Sequence, residues 1–392
     1  MRAHLLCVVA YTLASASAFA QMEFNTTEKA AISRHGPWPP AIKRDPGNRL
    51  SGKPAAIAFG ERLFFDPRLS AGGTLSCASC HLPEKSWTDG LPRSAGATML
   101  DRNAPSIVNT RFERWLGRDG SSDSLWSHAI RPLTDTRELA MTPALLAVRI
   151  RGDKALACEY RKATGNPPGS DDELLLVNVG KALAAFQETI VSGRTPFDEF
   201  RDALQRDDRN TMARYPESAQ RGLKIFIGRG NCSVCHFGPR FTNGEFADIG
   251  IPFFAAPGHV DSGRHAGVKQ VTTTRFNLLG PYNDDKTRAN AVATRHLTLE
   301  HRHWGEFKVP GLRNVALTAP YMHAGSLASL TDVVKHYSDL NEDRLHADGE
   351  RILKPLKLTE DETADLVAFL ETLSESRSTT SLGRNRKAAN CR

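Results

Sequence analysis

Two pentads, Cys77-Ala78-Ser79-Cys80-His81 and Cys232-Ser233-Val234-Cys235-His236, stand far apart in one chain of 392 residues. Two thiols three residues apart can each form a thioether to a haem vinyl group, and the histidine that follows is then placed to ligate the iron. A single short turn supplies tether and proximal ligand together. A four-cysteine zinc site would bring its two Cys-x-x-Cys knuckles within ~15–20 residues and needs no histidine after each. The pentads therefore predict two covalently bound haem c groups, held by Cys77, Cys80 and His81 and by Cys232, Cys235 and His236. They also dictate architecture, because each haem needs its own apolar crevice.

The length suits two domains, and 40% apolar with 24% charged residues is ordinary globular composition. Residues 1–20 read as a cleaved secretory signal. Arg2 leads into the apolar run Leu5-Leu6-Cys7-Val8-Val9-Ala10, and Ala18-Phe19-Ala20 has the small-x-small pattern of a cleavage site. A secreted chain with covalent haem points to the periplasm. No later stretch reaches the ~20 apolar residues of a membrane span. The formal charge of +7 favours an acidic protein partner, unless it is only a solvated surface, and nothing points to nucleic acid. Cys158 and Cys391 remain beyond the pentads, and an oxidising compartment permits a disulfide between them without showing that they meet.

The fold class expected is mainly α, two cytochrome c-like haem domains with long loops. An amphipathic helical pattern with Phe59, Leu63 and Phe64 precedes the first pentad, and one with Ala219, Leu223 and Phe226 precedes the second. Leu176, Val179, Leu183, Phe186 and Ile190 mark a long helix with one buried stripe. Ser329-Leu330-Thr331-Asp332 and Thr359-Glu360-Asp361-Glu362 match the capping box and predict two helix starts. The organisation expected is an N-terminal haem domain over residues 21–210, a C-terminal haem domain over 211–376, and a flexible basic tail over 377–392.

Around the pentads stand Phe65-Asp66-Pro67-Arg68-Leu69-Ser70, Arg102-Asn103-Ala104-Pro105-Ser106, Phe307-Lys308-Val309-Pro310 and Leu312-Arg313-Asn314-Val315-Ala316-Leu317-Thr318-Ala319-Pro320-Tyr321-Met322-His323. With these segments the chain resembles the bacterial di-haem cytochrome c peroxidase and MauG family, and the MauG-like members more closely. The resemblance implies that the N-terminal haem, on His81, reacts with H2O2, and that the C-terminal haem, on His236, stores or relays electrons. It places Tyr337 where the peroxidases carry a methionine ligand to the second iron and where MauG-like proteins carry tyrosine. The period independently puts Tyr337 on the stripe of Leu330, Val333 and Val334. His336, Met322 and Met141 are weaker candidates for that ligand.

Above the first haem the resemblance maps a distal glutamine, proline and glutamate onto His128, Pro132 and Glu138. Glu138 is the expected proton shuttle for peroxide heterolysis. His128 departs from the family and would hydrogen-bond peroxide, share the proton work or ligate iron. The resemblance also implies a calcium ion between the haems, held by Asn103, Thr318 and Pro320. It implies a relay tryptophan before Asp-Gly, but Arg118 precedes Asp119-Gly120 here, and Trp115 is expected to reach that space by a local shift. The loop after the first pentad reads Gly96-Ala97-Thr98, without the histidine that blocks the haem in many peroxidases of the family. His296, His301 and His303 lie in a charged segment that reads as a solvated loop rather than a metal site.

The function expected is a periplasmic di-haem oxidoreductase that reacts with H2O2 and shares oxidising equivalents between its haems, with a protein side chain as substrate. The alternatives are a cytochrome c peroxidase drawing electrons from a small cytochrome or cupredoxin, and a non-catalytic di-haem electron carrier. The partners expected are H2O2 and a periplasmic electron-donor or substrate protein.

Overall fold

The computed structural model describes residues 22–251, 254–256, 259–342, 348–349, 351–375 and 391. The signal expected over 1–20 lies outside the described residues, as does the tail expected over 377–392 apart from Cys391. Fourteen α-helices are described: α1 (Thr26–Ser33), α2 (Pro54–Phe64), α3 (Leu125–Thr134), α4 (Pro143–Gly152), α5 (Lys154–Thr164), α6 (Asp172–Gln187), α7 (Pro196–Arg206), α8 (Arg209–Met212), α9 (Glu217–Ile227), α10 (Cys232–Cys235), α11 (Arg264–Thr273), α12 (Val292–Arg295), α13 (Leu330–Ser338) and α14 (Glu360–Glu371). Among the described residues the strands are short: β1 (Phe246–Ala247) pairs antiparallel with β4 (Phe307–Lys308), and β2 (Phe254–Ala256) with β3 (His259–Val260). Long loops join the rest, so the fold is mainly α as the sequence implies. No helix among the described residues is long and apolar enough to cross a membrane.

The same device is built twice. Ahead of the first pentad, α2 crosses α6 so closely that a Cβ on Gly60 would lie 2.0 Å from the Ala182 carbonyl oxygen. Ahead of the second, α9 crosses α14, and a Cβ on Gly222 would lie 1.9 Å from the Asp365 carbonyl oxygen. Only glycine permits either crossing. The second is also clamped by Arg221, whose Nε and Nη2 donate to the two carboxylate oxygens of Asp365 at 2.7 and 2.8 Å. The crossings fix the floor from which each pentad rises. Both predicted capping boxes are present, with Ser329 accepting from the Asp332 amide and Thr359 from that of Glu362.

Each crossing belongs to its own hydrophobic core. One gathers Phe59, Leu63, Phe64, Trp87, Trp126, Leu176, Leu183 and Phe186 from α2 to α6. The other gathers Phe197, Phe200, Leu223, Phe226, Phe241, Phe369 and Leu373. Each fully buried aromatic or aliphatic side chain contributes ~1.5–3 kcal/mol. The buried members of the two cores divide between Ile190 and Phe197: Phe197 and Phe200 of α7 pack into the second core, which also takes Phe24 and Ile32 from the N-terminal segment. Helix α6 is buried on all sides rather than along one stripe, since α2, α3 and α4 all pack on it. Its Lys181 reaches out to donate to the Tyr282 carbonyl at 2.7 Å and to Asp284 at 2.5 Å. Cys158 of α5 and Cys391 form a disulfide.

Candidate active site

Both pentads open onto one cavity of about 1210 Å³, larger than the ~300–1,000 Å³ of a single small-molecule pocket. The two proximal histidines are held alike. His81 Nδ1 lies 3.1 Å from the Trp87 carbonyl oxygen and His236 Nδ1 lies 3.0 Å from that of Phe241. A carbonyl only accepts, so Nδ1 carries the proton and the Nε2 lone pair is left for a metal. Burial lowers the pKa of both rings, which keeps them neutral and ligand-competent.

Among the described residues, none of the four pentad cysteines forms a disulfide. Burial pushes Cys77 and Cys232 up to about 12 and Cys80 up to about 11. These are protonated thiols, unlike the depressed thiols of reactive Cys-x-x-Cys sites. Among the described residues no group of three or more His, Cys, Asp or Glu side chains forms a metal cluster, so the pentads do not combine into a zinc site. Two haems fit the donor set.

On the first side, His128, Pro132 and Glu138 all line the cavity with the Cys77–His81 turn. Pro132 sits inside α3 and has no N–H to return to the preceding turn. The chain then doubles back, the Leu139 amide donating to the Pro132 carbonyl at 3.1 Å and the Met141 amide to that of Leu133 at 2.7 Å. That return carries Glu138 under the helix. Burial raises the Glu138 pKa, against the pull of Arg131. His128 is pushed down to about 3 by burial and by the charges of Arg131 and Lys308, so its ring is neutral. Its Nδ1 lies 3.4 Å from Ser122 Oγ.

Arg131 was not anticipated as a site residue. It lines the same cavity, with Nη2 3.7 Å from Glu138 Oε1, and its buried Nε has no hydrogen-bond partner among the described residues. The sequence signal was a cation three residues after His128, on the same helical face.

On the second side, Tyr337 projects from α13 into the cavity beside Leu330, Val333 and Val334. Burial, with Cys232 and Cys235 nearby, holds its phenol well above the usual range. His336 turns away, with Nε2 2.9 Å from the Ile249 carbonyl oxygen, and Met141 is buried in the first core. Met322 lines the cavity.

Between the pentads, Trp115 and Arg118 stand differently toward the cavity. Trp115 does not line the cavity. It is buried behind it, under the Arg264 guanidinium 4.5 Å from its ring centroid, and its carbonyl accepts from Lys308 Nζ at 3.0 Å. Arg118 lines the cavity instead. Its Nη2 donates to Asn103 Oδ1 at 2.5 Å, while Asn103 Nδ2 donates to the Pro320 carbonyl at 3.0 Å. Burial and Arg102 lower its pKa to about 10, which leaves it charged at neutral pH. Asn103, Thr318 and Pro320 line the cavity together. His301 Nδ1 lies 2.8 Å from Asp348 Oδ2 at the surface.

The chain matches the family described as di-haem cytochrome c peroxidase over residues 54–207. It is 34% identical to the methylamine utilization protein MauG of Methylorubrum extorquens, over 95% of this chain and 93% of that protein. It is 33% identical to the cytochrome-c peroxidase IdrP1 of a Pseudomonas species, over 82% and 81%. Among solved structures, the di-haem peroxidase BthA from Burkholderia thailandensis superposes with a TM-score of 0.67 at 25% identity, covering 86% of this chain and 90% of that one. A MauG-like protein associated with microbial copper homeostasis gives 0.63 at 27%, covering 87% and 96%. With two haem-competent pentads on one cavity and relatives of this likeness along nearly its whole length, the chain belongs to the di-haem cytochrome c peroxidase and MauG family of peroxide-using oxidoreductases.

Proposed function

We propose that this protein is a MauG-type enzyme of the periplasm, with both haems tethered through Cys77, Cys80, Cys232 and Cys235, that takes oxidising equivalents from H2O2 and passes them to a protein side chain. When bound, the haems supply redox-active iron at which peroxide is reduced and oxidising equivalents are held. Everything else falls to the chain's own residues. Glu138, its carboxyl raised by burial, takes a proton from the entering peroxide and returns it to the departing oxygen. Arg131 stabilises the negative charge that develops beside it. His128, neutral and close to Ser122, offers a hydrogen bond to the same peroxide.

The observation that carries the MauG reading over a cytochrome c peroxidase is Tyr337. Its phenol shares the cavity with Cys232, Cys235 and His236, while His336 is turned onto a backbone carbonyl. An oxygen donor to the second iron favours high oxidation states, where a thioether would raise the potential.

The test is addition of H2O2 to the purified ferric protein without reductant. A spectral change at both haems that persists after the peroxide is consumed supports the MauG type. Bleaching at the first haem alone, with turnover only when a reduced cytochrome is supplied, would support the peroxidase reading instead.

A further inference from the structure

We propose that the guanidinium of Arg118 is a built-in cation between the two haem crevices, standing in place of the calcium ion that the family resemblance implies. Three observations lead there. The first is the orientation of the Asn103 amide. A guanidinium only donates, so the group facing Arg118 is Oδ1, at 2.5 Å; a carbonyl only accepts, so the group facing Pro320 is Nδ2, at 3.0 Å. The two partners fix the amide independently. A calcium ion needs six to eight oxygens pointing at one centre at ~2.3–2.6 Å. Here the Asn103 oxygen is taken by a cation already present, and the Pro320 oxygen is turned to Asn103 itself.

The second observation is the distribution of charge. The acidic groups close by are Asp119 and Asp261, and Arg102 holds both: its Nε and Nη2 donate to Asp261 at 2.7 Å each, and its Nη1 to Asp119 at 2.8 Å. A divalent ion entering beside Asn103 would meet two guanidinium groups and no uncommitted carboxylate. Hard cations are not held on such terms.

The third is that Arg118 is built in rather than swung in. Its carbonyl accepts from the Lys308 amide at 2.8 Å, which ties the residue to β4. The Asn103 backbone N–H donates to the His323 carbonyl at 3.1 Å, which ties the acceptor to the segment that follows Pro320. The buried Nε of Arg118 has no acceptor among the described residues, which leaves a donor suited to a carboxylate of a bound cofactor. A fixed monovalent charge thus lies between the two crevices, and it cannot be chelated away. The inference holds whichever substrate the enzyme oxidises.

The experiment uses the di-haem holoprotein. It is treated with EGTA, exchanged into calcium-free buffer, and analysed for metal by mass spectrometry, with haem spectra recorded before and after calcium is added back. The expected result is calcium far below stoichiometry in the protein as purified, with spectra unchanged by chelation or by added calcium. One tightly held calcium per chain, or a haem spectrum that chelation alters, would overturn the proposal. A second measurement addresses the charge itself. Removing a nearby cation should lower the haem reduction potentials in Arg118→Gln and leave them nearer their original values in Arg118→Lys; potentials unmoved in Arg118→Gln would equally sink it.

Discussion

The chemistry turns on a few side chains that the fold brings against one cavity, and the distal group is the most exposed to test. Glu138 Oε1 lies 3.7 Å from Arg131 Nη2, and Glu138 lines the cavity with Cys77 and Cys80. Replacing Glu138 by Gln removes the proposed proton shuttle but keeps the shape; the second-order rate of reaction with H2O2, followed by stopped-flow absorbance, should fall ~10²–10⁴-fold. Arg131→Leu should slow the same step without changing the stoichiometry of bound haem. A rate within a factor of two of the parent in Glu138→Gln would remove it from the proton path. Tyr337→Phe should alter the ferric spectrum of the second haem only, and an untouched spectrum would end its candidacy as ligand. At this scale the sequence was legible where a residue sits on a regular element. Tyr337 could be read from the period of α13. Trp115 and Arg118 could not be told apart, because they share an irregular loop whose register is set by the bond from the Lys308 amide, a partner far away in sequence.

At the scale of elements, the two close crossings decide whether a pentad has a crevice at all. In Gly222→Ala the new methyl would meet the backbone of Asp365 and Leu366, neither of which is a flexible tip that can swing aside. Helices α9 and α14 must then separate, at a cost of ~1–3 kcal/mol, and the Arg221–Asp365 pair is stretched with them. Thermal unfolding of Gly222→Ala should come at lower temperature than the parent, with the second haem's spectrum broadened and the first unaffected; an equal melting temperature would show that the crossing tolerates a side chain. Gly60→Ala should give the converse pattern at the first haem. The helices were readable from apolar spacing and capping residues, and both capping boxes form. The burial of α6 was not readable, since a stripe of spaced apolar residues reports only one face. Its other faces carry Ala, Asn and Lys, which become interior only because α2, α3 and α4 surround the helix.

Across the whole molecule, stability is set by cores that cross the expected boundary and by carboxyl groups those cores enclose. The early segment around Phe24 and Ile32 packs with the second core, so that core is not drawn from one contiguous stretch of sequence. Glu188, just beyond α6, is buried with one oxygen accepting from Ser51 Oγ at 2.6 Å and the other without a partner among the described residues. Burial and the neighbouring Asp45 push its carboxyl up to about 7 from an ordinary value near 4.5. A raised carboxyl means that the folded chain holds the proton more tightly than the unfolded one. Its contribution is therefore complete below about pH 4.5 and is lost as the pH rises through about 7. Glutamine mimics the protonated form at every pH. Glu188→Gln should match the parent in denaturant unfolding at pH 5 and exceed it at pH 8 by ~2 kcal/mol, a discounted share of the shift at 1.36 kcal/mol per pH unit. Equal stability at pH 8, or a gain that is largest at pH 5, would mean that Glu188 is already ionised and satisfied in the fold.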